Sequence, residues 1–436
     1  MSELPSGWAT ATLGELCVPT EMSDPASRPD DTFTYVDIGS IKGQAIRNPK
    51  RLLGRDAPSR ARKVVFAGDT VVSTVRTYLR NTATVPDELD GAIASTGFCV
   101  LRPAHGIAPK FLYYRVTEAG FVNRLSEKQS GSSYPAVRDS DVLAEQIELP
   151  PGAEQQRIVA AIEEQLSRLD AADACLLMSL RRLRMLRSAA VQRALGDGWQ
   201  TVELGEVTEH QGYGSSAKAT TASDGGVPII AMGNIQDGAL VFDRLKYLPA
   251  DHDDVGRYRL SPGDLLFNRT NSPELVGKSA VYREGSPEAL FASYLIRVRL
   301  EPVCDPEWAA LVMNSAAGRQ YIAAVRTQQV GQANVNGSKL KRFPIPLPPL
   351  SEQRLRLDEL DQLTTVAKAV GAAIDLAKRR SGTLRQALLA SAFAGTLLPQ
   401  DPTDEPAHVL IDRIAAERSA SAVGRSGRKR TNEGAE

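Results

Sequence analysis

One passage of this chain occurs twice. LPPGAEQQRIVAAIEEQL begins at Leu149 and LPPLSEQRLRLDELDQL begins at Leu347, each a Leu-Pro-Pro step, a Glu-Gln pair and a long helical run, about 198 residues apart. Order is kept well beyond that signature. Gly7-Trp8 and Leu13-Gly14-Glu15-Leu16 return as Gly198-Trp199 and Leu204-Gly205-Glu206-Val207, and Ile38-Gly39-Ser40-Ile41 as Met232-Gly233-Asn234-Ile235. Gly68-Asp69 returns as Gly263-Asp264, and Ala94-Ser95 as Ala292-Ser293. The spacing drifts through the first half and then holds, as small insertions in the loops of a shared fold would make it do. A period this long lies outside the solenoid range, so it means two domains and not an array or one enzyme fold.

Each copy reads as a mixed domain. In the first, 64–75 (VVFAGDTVVSTV) and 97–103 (GFCVLRP) have the β-branched content of strands, with Gly68-Asp69 as a turn. The stretch 111–125 (FLYYRVTEAGFVNRL) has helical spacing. The second copy repeats this plan, with strands near VPIIAMGNI and DLLFNR and a helix near PEWAALVMNSAAGRQYIAAV.

From Glu154 to Leu195 run 42 residues without proline or glycine, bounded by Pro150-Pro151 and Gly196-Asp197-Gly198. Val159, Ile162, Leu166, Leu169, Leu176, Leu180, Leu183, Ala190 and Ala194 alternate in steps of three and four, the seam of a coiled coil, with Asp173 and Arg187 interrupting it. The second run, Glu352 to Ala394, places Leu360, Leu363, Ala367, Val370, Ile374, Ala377, Leu384 and Leu388 in the same pattern, interrupted at Ser381. Pairing the seams with the second helix running back gives an antiparallel pair, a rod with one globular domain at each end. The expected fold is therefore α+β: two similar α/β domains (1–149 and 198–347) separated by long antiparallel coiled-coil helices (150–197 and 348–398). After these, 399–436 opens with a short amphipathic helix and ends in a segment of disordered composition.

Composition narrows the function classes. The N-terminus has no basic, apolar leader and no stretch reaches the roughly 18 apolar residues of a membrane span, so a cytoplasmic protein is expected. Cys17, Cys99, Cys175 and Cys304 are scattered among only four histidines, which fits reduced structural cysteines and neither a zinc site nor a disulfide framework. Lysine and arginine number 52 against 52 acidic residues, so bulk electrostatics do not drive nucleic-acid binding. Basic residues do cluster in Arg47–Lys63, Arg181–Arg187 and Arg425–Arg430. No phosphate-binding, metalloprotease, nucleophile-elbow, amino-methyltransferase or nuclease motif is found, and bond chemistry is not expected.

Binding features are richer. Polar segments follow each Gly-Asp turn (68–85 and 263–281) and precede each Pro-Pro step (127–141 and 326–342). Arginine and amide side chains contact guanine and adenine edges, while serine, threonine and lysine suit phosphates. Such loops in two matching domains are candidates for reading two short sequences.

The repeated signature leading into long helices, the polar segments after the Gly-Asp turns and the two-domain layout together resemble the specificity subunit, HsdS, of type I restriction-modification systems. The resemblance covers nearly the whole chain. STVRTYLRN after the first Gly-Asp turn and LRQALLASAFAGTL at the end of the second helix are especially similar to family sequence. It implies a non-catalytic reader of double-stranded DNA, each target recognition domain taking one half of a bipartite site, with the helices setting the gap and docking two methylation subunits. It implies no cofactor on this chain; S-adenosylmethionine belongs to the methylation subunits, and ATP and Mg to restriction subunits that the complex can recruit. Carried over by position, the DNA-contact candidates are Ser73, Arg76, Tyr78, Arg80, Asn81, Ser132, Ser133, Tyr134 and Arg138 in the first domain. In the second they are Asn268, Arg269, Asn271, Lys278, Gln332, Asn334 and Asn336. Asn334 and Asn336 have Ala136 and Arg138 at the matching places. The rival readings are a structural adaptor, with two protein-binding domains on a coiled coil, and a fused restriction-methylation enzyme.

Overall fold

The computed structural model describes residues 4–131, 134–196, 198–223, 225–329 and 332–432. The chain divides into two compact units, one running to Cys175 and resuming at Leu376, the other spanning Leu176–Asp375. Each long helix contributes to both.

In the first unit, Ala9–Thr12 pairs antiparallel with Gln146–Leu149, so the domain closes just before its Pro-Pro step. One four-stranded sheet is ordered Lys50–Leu53, Thr32–Val36, Ala92–Ser95, Ala61–Val65, and a second is ordered Cys17–Val18, Phe98–Pro103, Thr70–Ser73, Thr82–Thr84. The second unit repeats the closure with Thr201–Glu203 against Pro344–Pro346. Its main sheet is ordered Thr208–Tyr213, Leu295–Leu300, Leu265–Asn268, Ser279–Val281.

The repeated Gly-Asp turns are structural. Gly68 and Gly263 take φ of 85° and 89°, where a side chain is strained. The buried Asp69 carboxylate accepts from Phe66 N (2.9 Å) and from Arg102 Nε and Nη2 (3.1 and 3.0 Å). Asp264 does the same with Ser261 N (2.9 Å) and Arg299 Nε (2.7 Å).

The stretch read as one helix over 111–125 is two, Pro109–Thr117 and Ala119–Glu127. Glu118 stands between them in extended conformation and its carboxylate caps Gly120 N and Phe121 N. Ser315 divides the equivalent helices Pro306–Asn314 and Ala316–Val325, its hydroxyl accepting from Gly318 N at 3.1 Å. Apolar spacing continues across both breaks, so a side-chain cap ends a helix that periodicity would prolong.

The long helices are Gly152–Leu195 and Leu350–Phe393, 44 residues each. The buried amide of the Glu-Gln pair ties each to its domain. Gln155 accepts from Ala108 N (3.0 Å) and donates to Pro150 O (3.0 Å). Gln353 accepts from Asp305 N (2.8 Å) and donates to Pro348 O (2.8 Å) and Val303 O (2.9 Å). Both glutamines are fully buried, and each satisfies a buried proline carbonyl and a partly buried backbone N–H.

In the first unit, Ile158, Ile162 and Leu166 of the first helix share a core with Leu388, Leu389, Ala392 and Phe393 of the second, and Phe393 packs edge-on against Phe111 at 5.6 Å. Further along, the polar interruptions of the two seams meet: Asp173 accepts from Ser381 Oγ (3.1 Å) and Arg385 Nη2 (3.0 Å), and Arg385 also pairs with Asp170 (2.8 Å). These contacts run in opposite directions along the two helices, which are antiparallel here. The seam departs from the expected set at two leucines. Leu363 and Leu384 are 49% and 56% exposed, while half-buried Thr364 and Arg385 take the inward places. A straight helix of 3.6 residues per turn drifts off a seven-residue repeat, and the seam steps by one residue to follow.

The C-terminal helix is Ala407–Asn432, longer than the short amphipathic segment expected. Leu410 and Ile414 enter the first unit's core, Ala407 N donates to Gly7 O (2.8 Å), and Arg418 donates to the carbonyls of Gly14 and Cys17. Asp404, just ahead of it, pairs with Arg157. Cys17, Cys99 and Cys304 are buried and Cys175 is exposed; none forms a disulfide. No helix among the described residues is long and apolar enough to cross a membrane.

Gln155→Ala and Gln353→Ala each strand a partly buried N–H and a buried carbonyl, and each is expected to destabilise the protein by about 2–4 kcal/mol in denaturant titrations. A double-mutant cycle on Asp173→Ala and Arg385→Ala is expected to show coupling of about 0.5–1 kcal/mol in the same assay.

Candidate nucleic-acid interface

Folding brings the two polar segments of each copy together. In the first domain the loop after Thr70–Ser73 is stitched to the loop before the Pro-Pro step. Arg76 N donates to Pro135 O (2.8 Å), Val137 N to Thr74 O (2.9 Å), and Gln129 Nε2 to Thr77 Oγ1 (2.6 Å), which also lies 2.9 Å from Ser126 Oγ. Arg76 and Arg80 bracket the turn Thr77–Leu79 with φ of 49° and 52°. Left-handed backbone at a non-glycine residue costs about 1–2 kcal/mol, which the surrounding clasp must offset. The turn presents Tyr78 and Leu79, each 53% exposed, and the facing loop presents Tyr134, 72% exposed. The Arg76 guanidinium lies over the Tyr134 ring, 5.0 Å from its centre.

In the second domain the matching segments form a small sheet, Thr270–Asn271, Gln332–Asn334, Thr327–Gln329. Asn334 Nδ2 donates to Thr270 Oγ1 (2.7 Å) and Val335 N to Arg269 O (2.9 Å). The Arg269 guanidinium lies over the Tyr213 ring at 4.7 Å, and the Tyr213 hydroxyl accepts from Gly337 N (3.0 Å). The carbonyl of half-exposed Tyr294 accepts from Arg269 N (3.1 Å).

Of the sequence candidates, Arg76, Tyr78, Arg80, Asn81 and Tyr134 gather at the first clasp, and Arg269, Asn271, Gln332 and Asn334 at the second. Ser132 and Ser133 lie outside the described residues. Arg138 is exposed at the start of the helix Asp139–Leu143, and Asn336 caps the helix Gly337–Lys341 by accepting from Lys339 N (2.9 Å). Two candidates are drawn inward. Ser73 is 2% exposed and bonds Val75 O (2.8 Å); Asn268 is 0% exposed in its strand. Neighbouring strand residues face opposite sides of a sheet, and here both sides are covered, so polarity alone did not place these two at the surface. Lys278 lines an open cleft of about 1060 Å³ with Arg184, Asp305 and Asp358 instead of joining Arg269. Tyr213 was not among the candidates; it lies outside both polar segments and reaches the site only through the sheet. Among the described residues, no three His, Cys, Asp or Glu side chains are grouped to hold a metal ion.

The chain matches the family model described as the type I restriction modification DNA specificity domain twice, over residues 5–172 and 196–372. It belongs to that family, the specificity subunits of type I restriction-modification systems. It is 26% identical over 359 residues to the type I restriction enzyme EcoKI specificity subunit of Escherichia coli K12, covering 77% of each chain. With the StySPI specificity subunit of Salmonella potsdam the identity is 23%, covering 98% of this chain and 99% of that one. Among solved structures, the HsdS subunit from Thermoanaerobacter tengcongensis is 32% identical with a TM-score of 0.60, covering 91% of this chain and 99% of that one. A chain from a structure on complex assembly and conformational transition of the type I R-M system is 32% identical with a TM-score of 0.78, covering 91% and 100%.

Thr77→Val removes the hydroxyl shared by Ser126 and Gln129 without changing side-chain volume much. It is expected to cost about 1–2 kcal/mol of stability and to weaken recognition of one half-site only, measured as binding to duplexes altered in either half.

Proposed function

We propose that this chain is the DNA-reading subunit of a type I restriction-modification complex and makes and breaks no bonds itself. Each recognition domain reads one half of a bipartite, asymmetric sequence in double-stranded DNA, and the pair of long helices sets the gap between the halves. The observation that carries this reading is the twofold match to the DNA specificity domain, with a clasp of arginine, tyrosine and amide side chains in each copy. The adaptor reading leaves those clasps without a purpose.

Two methylation subunits dock on the helices. Supporting this, the first helix leaves Leu177, Met178, Met185 and Leu186 exposed and the second leaves Leu355, Leu363 and Val366 exposed, all within one unit. Exposed apolar side chains gathered on one pair of helices are the kind of surface that a protein partner covers. The methylation subunits carry S-adenosylmethionine, and restriction subunits bring ATP and Mg; the assembly works in the cytoplasm, on DNA. Neutral net charge fits a shared interface, in which partner subunits supply part of the phosphate contact.

In a strain expressing the chain with its methylation subunit, methylome sequencing is expected to show N6-methyladenine in one split motif; no split motif would refute the proposal. Deleting one heptad, Leu169 to Cys175, is expected to change the gap or abolish assembly while both half-site sequences persist. Binding of the complex to duplex DNA is expected to fall steeply with salt, which an adaptor would not show.

A further inference from the structure

We propose that Arg76 and Arg269 each read a guanine, one in each half-site, and that the tyrosine under each arginine aims it. The assignment rests on the DNA-reading function above and adds which residues decide a base and which base they decide.

Three features coincide at both positions. Each arginine stands just beyond the strand that follows its Gly-Asp turn, Thr70–Ser73 in one domain and Leu265–Asn268 in the other. Each has its backbone fastened to the segment ahead of the Pro-Pro step, Arg76 N to Pro135 O (2.8 Å) and Val335 N to Arg269 O (2.9 Å). Each guanidinium lies over a tyrosine ring, at 5.0 Å and 4.7 Å from the centre.

The tyrosines are not duplicates of each other. Tyr134 belongs to the loop before the first Pro-Pro step, where the second copy has Gln332, whereas Tyr213 ends the strand Thr208–Tyr213. One arrangement has thus been reached from two unrelated positions, which a shared ancestor alone does not explain. In the first domain Arg76 also holds a left-handed backbone that glycine or asparagine would adopt more cheaply.

Stacking decides what such an arginine can recognise. A guanidinium held over a ring is restricted in orientation, and the Nε of both arginines is buried, which leaves the two terminal Nη groups of each as the planar fork. That fork matches the O6 and N7 acceptors of guanine in the major groove, the commonest specific arginine contact to DNA. Arg102 is paired with Asp69, Arg115 with Glu118 and Glu148, and Arg299 with Asp264, so these three hold the domains together. Among the described residues Arg269 forms no ion pair and reaches only Ser293 O, at 3.5 Å. Tyr134 and Tyr213 are positioning residues in this scheme.

The test uses the full chain in complex with its methylation subunit. The methylated motif is determined for the wild type and for Arg76→Lys, Arg269→Lys, Tyr134→Ala, Tyr213→Ala, Tyr134→Phe and Tyr213→Phe. Each Arg→Lys change is expected to relax one G·C pair in one half-site by about 10- to 100-fold, leaving the other half-site intact. Each Tyr→Ala change is expected to relax that same pair and Tyr134→Phe to preserve it, while Tyr213→Phe, which also strands Gly337 N, is expected to preserve the pair at a cost in stability. Copurification with the methylation subunit and an unchanged second half-site report that a variant is folded. Uniform weakening on all sequences would make these arginines phosphate contacts and overturn the assignment, as would a wild-type half-site without a G·C pair. A split motif that the lysine variants leave unaltered overturns the assignment alone; a wild type with no split motif overturns the function itself.

Discussion

The architecture depends on two buried amides. Gln155 and Gln353 each take one backbone N–H from the domain and return one N–H to the first proline carbonyl of the Leu-Pro-Pro step. A proline nitrogen cannot donate, so the Pro-Pro step enters the helix without leaving donors unsatisfied, and its free carbonyl becomes the amide's partner. The most conspicuous repeat in the chain is therefore a joint. It fixes how a domain meets its helix and is indifferent to what that domain binds.

The same division runs through the rest of the duplication. Gly68-Asp69 with Arg102 and Gly263-Asp264 with Arg299 are matched turns in which a buried carboxylate holds a loop and a strand together. Beyond these turns the two copies part: one has a tight turn between two left-handed arginines, the other a small three-stranded sheet. In the helix pair, apolar seams supply the attraction, while Asp173, Ser381 and Arg385 supply the alignment. A polar group in a seam stabilises little but penalises every register in which it lacks its partner.

Much of this was legible in the chain. Proline pairs, glycine stops and long unbroken periodicity located both helices to within two residues, and the internal repeat fixed the domain plan. Periodicity failed where a single polar side chain outweighed it, at Glu118 and Ser315, and where seam and helix drift apart, at Leu363 and Leu384. The loops were recognised by composition, but composition is blind to burial. It could not tell Asn268, shut inside the main sheet, from Asn271 on the edge strand of the small one, nor find Tyr213, which reaches Arg269 from a strand more than fifty positions earlier in the chain. The C-terminal helix was foreseen only in its first turns, because what orders it is the surface it covers, with Leu410 and Ile414 in the core and Arg418 on two carbonyls.

The glutamine joint has one more property. Its partners within each domain are main-chain atoms, which every sequence provides, so the grip survives wholesale change in the side chains around it. A foreign domain ending in the same Leu-Pro-Pro step would offer the glutamine the same carbonyl, and would need beside it only an apolar patch to receive the helix side chains that Ile158 and Ile162 supply in the first copy. Side chains at the reading surfaces can thus be exchanged, singly or as an entire transplanted segment, without removing any atom that the joint grips.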